Sequence, residues 1–485
     1  MASDDNTFSV TIRPGNLGAA PLAHLDSLTE LGQAGHYSVA TNIDIISKPG
    51  LLTQGPGLST LTNGTQAGAV DELIAHILER PTAADVTYGI AATKLHKISS
   101  TTVTNSGGVF PHSITNATAG SSVFYLGGYL FYVYNKASGA DCGRYDLNVT
   151  FDDDYMSTVP TGAAALQNAP HPVATKQDLA LIGNGQYVAV YNITTNILDA
   201  TKLDFGPNAE VADIAFHANQ WHITVNTGVT SGTNRAGSQV YLYDAATISS
   251  ILSDEVAVGV QQIGFIIPVN GIVYLAYKDL SSTGGFAIGY ISGRQIKPLR
   301  YFTGSLPTFA QKTLYKGTIA FLSSGVVYSC GAVTPQLPLQ ISQLADGGYT
   351  TCGALAAPFG TPMIASTQST SYKLAQFSGY DTACTWKSIV IPVINGSLIG
   401  YIDKVIVLTK TLGSGASCAL TLEANQAVNT SSSQTITTGK RRHVFTKFAL
   451  SGIEDFRLAL DWSGGSASND CAIRQIIVEG HYVEK

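Results

Sequence analysis

Residues 178–191 read DLALIGNGQYVAVY. An apolar run enters Asn184-Gly185, and an alternating run carrying Tyr187, Val188 and Val190 leaves it. Asn-Gly between apolar runs marks a two-residue β-hairpin, because a type I′ turn requires positive φ at both central residues. The unit recurs in degenerate form along the middle of the chain. DVTYGIAATKLHKIS turns near Thr93-Lys94, SVFYLGGYLFYVYN at Gly127-Gly128, and VADIAFHANQWHITVN near Ala218-Asn219. QQIGFIIPVNGIVYLAY turns at Asn270-Gly271, FAQKTLYKGTIAFLSS at Lys316-Gly317, and GALAAPFGTPMIAS near Phe359-Gly360.

Successive turns are separated by about 34, 57, 34, 52, 46 and 43 residues, around the ~40–50 residues of a four-stranded propeller blade. The stretches between the hairpins are also strand-like, as in QVYLYD (239–244) and GFAIGYIS (285–292). Each unit therefore supplies an apolar inner hairpin and two more polar outer strands. Seven units predict a β-propeller of about seven blades over residues 66–379, with six equally defensible. Trp-Asp repeats are absent, so this is not a WD40 array. An irregular sandwich built from ordinary hairpins is the competing reading.

After Gly379 the repeat stops. Residues 380–485 hold seven or eight strand-like runs, among them TWKSIVIPV, GYIDKVIVLTK and DFRLALDWS, separated by Gly, Ser and Asn. That spacing predicts a two-sheet sandwich resembling a jelly roll. Residues 1–65 contain FSVTIR (8–13) and HYSVATNIDII (36–46), punctuated by Pro14-Gly15 and Pro49-Gly50, and are expected to form an N-terminal arm with hairpins. DELIAHILER (71–80) is the best helix candidate, with acids first and Arg80 last before Pro81, although a buried strand is an alternative for ten residues. The fold class is all-β.

A chain of 485 residues with 45% hydrophobic residues can bury a large core, and its 12% charged residues are about half the usual share. Sparse surface charge suits a protein that meets other protein. A net charge of −6 argues against a nucleic-acid binder, which usually carries a basic footprint. No apolar run reaches the length of a membrane helix, and no secretory leader is visible at the start. The six cysteines (Cys142, Cys330, Cys352, Cys384, Cys418 and Cys471) are scattered, which predicts free and mostly buried thiols and a reducing compartment.

Sites are few. His217 and His222 flank Trp221 and could approach each other across a turn, but no third metal ligand lies nearby. Asp152-Asp153-Asp154 lacks the alternating carboxylates and Gly of a Ca²⁺ loop, so a solvated loop is expected. There is no GxSxG, HExxH, P-loop or GxGxxG motif. Asp178, Asp213 and Glu255 are available for glycoside hydrolysis, with nothing to separate them from ordinary turn acids. Lys440-Arg441-Arg442-His443 is the one basic run, suited to an acidic partner or an anionic sugar, or simply a solvated turn. Tyr129, Tyr132, Tyr134, Tyr187, Tyr191, Tyr241 and Tyr243 lie on the hairpins, where blade packing accounts for most of them. No catalytic, cofactor or metal residues are assigned.

Two stretches, NIDIISKPGLLTQGPGLSTLTNGT (42–65) and IEDFRLALDWSGG (453–465), resemble segments of structural proteins from the virions of tailed bacteriophages, which combine an N-terminal arm, a propeller and a C-terminal sandwich. The resemblance implies a non-enzymatic, tail-associated virion component, assembled in the host cytoplasm as a symmetric homo-oligomer beside other tail proteins, with no cofactor and no nucleic-acid partner. Two other readings remain. A receptor- or glycan-binding adhesin would present exposed aromatics such as Trp386 or Trp462 to a host-surface glycan. A propeller hydrolase or lyase would converge carboxylates on the propeller axis.

Overall fold

The computed structural model describes residues 7–13, 37–48, 50–65, 72–81, 86–104, 109–228, 237–244, 248, 254–258, 262–278, 285–332, 340–393, 398–410, 417–425, 429–436, 439–446, 448, 450, 452–463 and 472–484. Almost every described element is a strand; the single α-helix is one turn, Tyr155–Thr158.

Seven antiparallel four-stranded units form the propeller. Their first strands are His76–Glu79, Ala117–Leu126, Val173–Lys176, Glu210–His217, Gln262–Val269, Lys312–Tyr315 and Thr351–Ala356, defining blades 1 to 7. These first strands pack side by side in order around the axis, and that of blade 7 returns to that of blade 1. An apolar cluster fills each of the seven blade interfaces, including the one between blades 7 and 1, where Ile74, Ile77, Ala354 and Met363 meet. An open array of seven blades would have only six such interfaces, so the ring is closed.

Four of the seven inner strands share a feature with no sequence signature. Register shifts fall at Gly120/Ser122, Val211/Asp213, Ile263/Phe265 and Cys352/Ala354, in blades 2, 4, 5 and 7. A bulge sharpens the local twist, which lets the crowded inner strands splay around the axis. Two of the extra residues must be glycine. A Cβ on Gly264 would lie 2.1 Å from the Pro307 carbonyl oxygen, and one on Gly353 2.2 Å from that of Ile74, each on the next blade's approach.

The opening hairpin is present, one residue out of the expected frame. Asn184 pairs with Tyr187, so the central residues are Gly185 and Gln186. Of these two only Gly185 has positive φ, at 62°, as in a type II′ turn. Asn184 is a buried strand residue; its Oδ1 accepts from Gln167 N at 2.6 Å and its Nδ2 donates to Ala200 O at 2.9 Å. The Asn270-Gly271 and Lys316-Gly317 turns do carry two positive φ values. The uneven turn spacing has a simple origin. The hairpins recognised in blades 1 and 3 join second and third strands, whereas the other five join first and second. Within 71–80 the helix is not formed; the buried-strand alternative holds for His76–Glu79, the inner strand of blade 1, hydrogen-bonded to Thr87–Ile90, and Asp71 lies outside the described residues. Packing between two neighbouring blades overrides the segment's helical propensity.

The C-terminal body is a jelly roll, and it begins at the other end of the chain. Its strands are β1 (Thr7–Ile12), β2 (Tyr37–Thr41), β3 (Ala383–Ser388), β4 (Leu398–Thr409), β5 (Ser417–Ala424), β6 (Gln434–Ile436), β7 (Arg442–Phe445), β8 (Asp455–Ser463) and β9 (Ile473–Glu484). One sheet has the order β1-β9-β4-β7; the other runs β3-β8-β5, with β6 on β5 and β2 on the free edge of β3. All these pairs are antiparallel, with the interleaved order of a jelly roll. The propeller is thus an insertion between β2 and β3.

Residues 1–65 therefore do not form a separate arm where they are described. Alternate residues Phe8, Val10 and Ile12 of β1 are buried in the jelly-roll core. Gly57–Thr65 pairs with Ser371–Ser378 as the fourth strand of blade 7, so the two ends of the propeller segment close one blade. A strand with one apolar face gains most by pairing within its own fold, where no association entropy is lost. Residues 14–36, between β1 and β2, lie outside the described residues.

Candidate functional sites

The two bodies are joined through residues 37–57. Strand β2 bridges in parallel to blade 6 at Thr41–Gln343, so blade 6 and one jelly-roll sheet form a continuous eleven-stranded sheet. Tyr37 is buried there; its hydroxyl donates to Ile341 O at 3.0 Å and accepts from Ile341 N at 2.9 Å, and burial pushes the phenol well above its usual pKa. Arg300 of blade 5 donates to Ser38 O at 3.3 Å. Leu52 and Ile473 exchange two backbone hydrogen bonds of 2.9 Å, tying the linker to β9.

Beside this seam lies a cleft of about 480 Å³ between the linker and blades 6 and 7. Asp44, Lys48, Lys316, Tyr315, Phe377 and Tyr380 are among the residues that line it. The Asp44 carboxylate accepts from Ile46 N (3.0 Å), Ser47 N (2.8 Å) and the Ser47 hydroxyl, and Lys316 Nζ stands 3.9 Å away. The Lys48 ammonium sits 5.7 Å from the Tyr380 ring centroid.

On the propeller axis a second cavity, of about 570 Å³, is lined by uncharged groups including Ser121, Asn135, Asn168, Phe309 and Gln311. Their polar atoms are largely used internally. Gln311 closes a capping box with Thr308, and Asn135 Oδ1 lies 3.2 Å from His171 Nε2. An ion pair is buried in the inner strands of blades 4 and 6. Lys312 Nζ contacts Asp213 Oδ2 and donates to Ile266 O at 2.6 Å; the same carboxylate accepts from Ile266 N (2.7 Å) and Ile214 N (2.8 Å). Blades 4, 5 and 6 are thereby locked together. Burial raises the Asp213 pKa and lowers that of Lys312, each opposed by the partner's charge. His76 is lowered to about 4 by burial and by Lys312.

Asp178, Asp213 and Glu255 do not share a site. They occupy a hairpin turn of blade 3, the inner strand of blade 4 and the outermost strand of blade 4. Of the acidic triplet, Asp153 is anchored rather than solvated. It accepts from Tyr132 OH (2.5 Å) and Thr115 N (2.9 Å) and meets His112 Nε2 at 2.9 Å. Burial alone would raise its pKa, but these hydrogen bonds hold it well below the usual carboxylate range. Its role is to pin blade 1 to blade 2.

His217 and His222 do come together, with ring centroids 6.0 Å apart, but no group of three or more metal-ligating residues exists among the described residues. Tyr132, Tyr134 and Tyr191 are wholly buried, and Tyr191 OH lies 3.0 Å from both Tyr155 OH and Asn196 Oδ1. Trp386 and Trp462 are 0% and 2% exposed, which removes the expected groove of exposed tryptophans. Each sits at a core-facing position of its strand, between the two jelly-roll sheets. Five cysteines are free thiols, four of them buried; Cys471 lies outside the described residues. No described helix is long and apolar enough to cross a membrane.

The seam and the Asp213–Lys312 pair had only faint sequence signals. A single acid inside VADIAF and a lysine opening KTLY are charges in otherwise apolar strands, and such charges need a partner.

No protein family and no curated protein matches the chain. Among solved structures it is similar to two extracellular domains of hybrid two-component systems from B. thetaiotaomicron. One is 12% identical with a TM-score of 0.46, over 74% of this chain and 44% of that one. The other is 11% identical at 0.46, over 89% and 61%. The chain thus spans less than two thirds of either. An exo-β-1,3-galactanase from Phanerochaete chrysosporium is 10% identical at 0.31, over 88% and 100%. At this identity nothing of their activities transfers.

Proposed function

We propose that this protein is a non-enzymatic structural component of a tailed-phage virion, associated with the tail and repeated in a symmetric assembly with other tail proteins. The observation that carries this reading furthest is the weld between the two bodies. A propeller inserted in a jelly roll, with one sheet running through both and Tyr37 buried at the joint, is a rigid two-headed block. Such a block fixes the distance between two docking faces, which a repeated assembly needs and a catalyst does not. The neutral axial cavity and the dispersed Asp178, Asp213 and Glu255 support a non-catalytic role. The resemblance of residues 42–65 and 453–465 to phage structural proteins supplies the particle.

Light scattering on the purified protein, with immunogold labelling of particles, tests the proposal. A closed oligomer and label on the tail are expected. A strict monomer, together with particles that lack the protein, contradicts it.

A further inference from the structure

We propose that the seam cleft and the adjoining corner of the jelly roll bind an anionic polysaccharide. The basic run at 440–442 does not stand alone in the fold. Thr409 donates its N–H to Arg441 O at 3.0 Å and its hydroxyl to Lys440 O at 3.2 Å; Lys410 donates to Ala472 O at 2.9 Å; Arg442 pairs with Leu408, and Arg474 follows Ile473. Four exposed cations, Lys410, Lys440, Arg442 and Arg474, therefore crowd one end of the β9-β4-β7 sheet. Among the described residues none of the four makes an ion pair, whereas Lys387, Lys404 and Lys312 elsewhere each do.

The corner continues into the cleft. Ile473 is bridged to Leu52, and Leu51 N donates to Lys48 O at 3.0 Å, so the turn bearing Lys48 lies against the strand bearing Arg474. Inside the cleft the chemistry changes from cations alone to cations beside aromatic rings: Lys48 and Lys316 with Tyr315, Phe377 and Tyr380. Asp44 is turned towards its own loop, accepting from Ile46 N and Ser47 N, with Lys316 Nζ 3.9 Å away. A sugar ring stacks its C–H face on an aromatic ring while its carboxylate, sulfate or phosphate meets an ammonium or guanidinium. The chain as a whole carries −6, so this patch is a local reversal of sign. It attracts a flexible anionic chain locally while the rest of the surface repels a long stiff polyanion such as duplex DNA.

The test is calorimetric titration of the purified protein with a polygalacturonate oligosaccharide at low salt, with a neutral maltooligosaccharide and a DNA duplex as comparators. Binding to polygalacturonate is expected, weakening about tenfold or more as salt rises from about 50 to 300 mM. The variant Lys410→Ser/Lys440→Ser/Arg442→Ser/Arg474→Ser, all at exposed positions, is expected to bind about tenfold or more weakly with an unchanged melting temperature. Tyr380→Ala should weaken the oligosaccharide about threefold or more and leave inorganic polyphosphate unaffected.

No binding of polygalacturonate at low salt overturns the proposal, as does wild-type affinity in the fourfold variant. Duplex DNA binding as tightly, with Tyr380→Ala neutral, would make the patch a general polyanion surface and overturn it too. Loss of self-association in the fourfold variant, with oligosaccharide binding intact, would make the corner a subunit contact instead. The measurement needs only the isolated chain, so its failure is distinguishable from failure of the virion reading, which is judged on particles.

Discussion

The propeller and the jelly roll solve the same problem, burying one-sided strands, at opposite ranges along the chain. Each blade pairs strands that follow one another within a few tens of residues, and only the last blade borrows a strand, Gly57–Thr65, from far away. The jelly roll does the reverse. Its first strand, Thr7–Ile12, lies against Ile476–His481 at the far end of the sequence, with the propeller in between. The propeller can therefore form from local hairpins, whereas the jelly roll must wait for both termini. Damage to the two should differ in kind as well as in size.

The largest effect is expected from deleting residues 1–12. This removes Phe8, Val10 and Ile12 from the core, at about 1.5–3 kcal/mol each, and leaves the edge of β9 unpaired. Hydrogen exchange should show the jelly roll unprotected while the blades stay protected, and a peptide spanning residues 5–14 added in trans should restore it. Uniform loss of protection in both bodies would break the comparison. Trp386→Ala empties the centre of the jelly roll, and a loss of about 3–5 kcal/mol is expected by denaturant unfolding.

Lys312→Met probes the propeller in the same way. Asp213 would be left buried without its cation, at a cost of about 3–5 kcal/mol, and Asp213→Asn in the same chain should recover much of it. A pH titration reads a smaller term. Burial lowers His171 to about 4 from 6.5, against weaker raising hydrogen bonds to backbone such as Gly183 O. Between those values the unfolded chain binds a proton that the folded chain excludes, so stability falls as pH drops from 6.5 towards 4, by up to about 3 kcal/mol for this group. His76 shifts in the same direction and adds to the loss. His171→Asn should flatten the profile in that window. The smallest change is Gly185→Ala, which places a Cβ at a φ of 62° and 2.1 Å from Gln167 Oε1, so the Gln167 side chain must swing away; a cost of about 1–2 kcal/mol is expected by denaturant unfolding.

The same contrast explains what could be read from the residues. Asn270-Gly271 and Gly127-Gly128 announce their turns because the backbone geometry needs those residue types locally. Nothing local marks Thr7–Ile12 as a jelly-roll strand: the alternation of polar Thr7, Ser9 and Thr11 with apolar Phe8, Val10 and Ile12 says that one face is buried, but not against what. DELIAHILER fails for a related reason, since four of its residues lie between two blades whose packing outweighs helical preference. The basic run at Lys440 was legible as charge. Its junction with Lys410, Arg474 and Lys48 was not, because it depends on the Leu52–Ile473 bridge between sequence-distant strands.

The proposed role requires a rigid propeller–jelly-roll block repeated in a particle. A reconstruction of the native assembly tests it most directly. Seven-bladed densities, each with a jelly roll fixed at one angle and related by a closed symmetry on the tail, are predicted. Particles without such density, or jelly rolls blurred relative to their propellers, would contradict it.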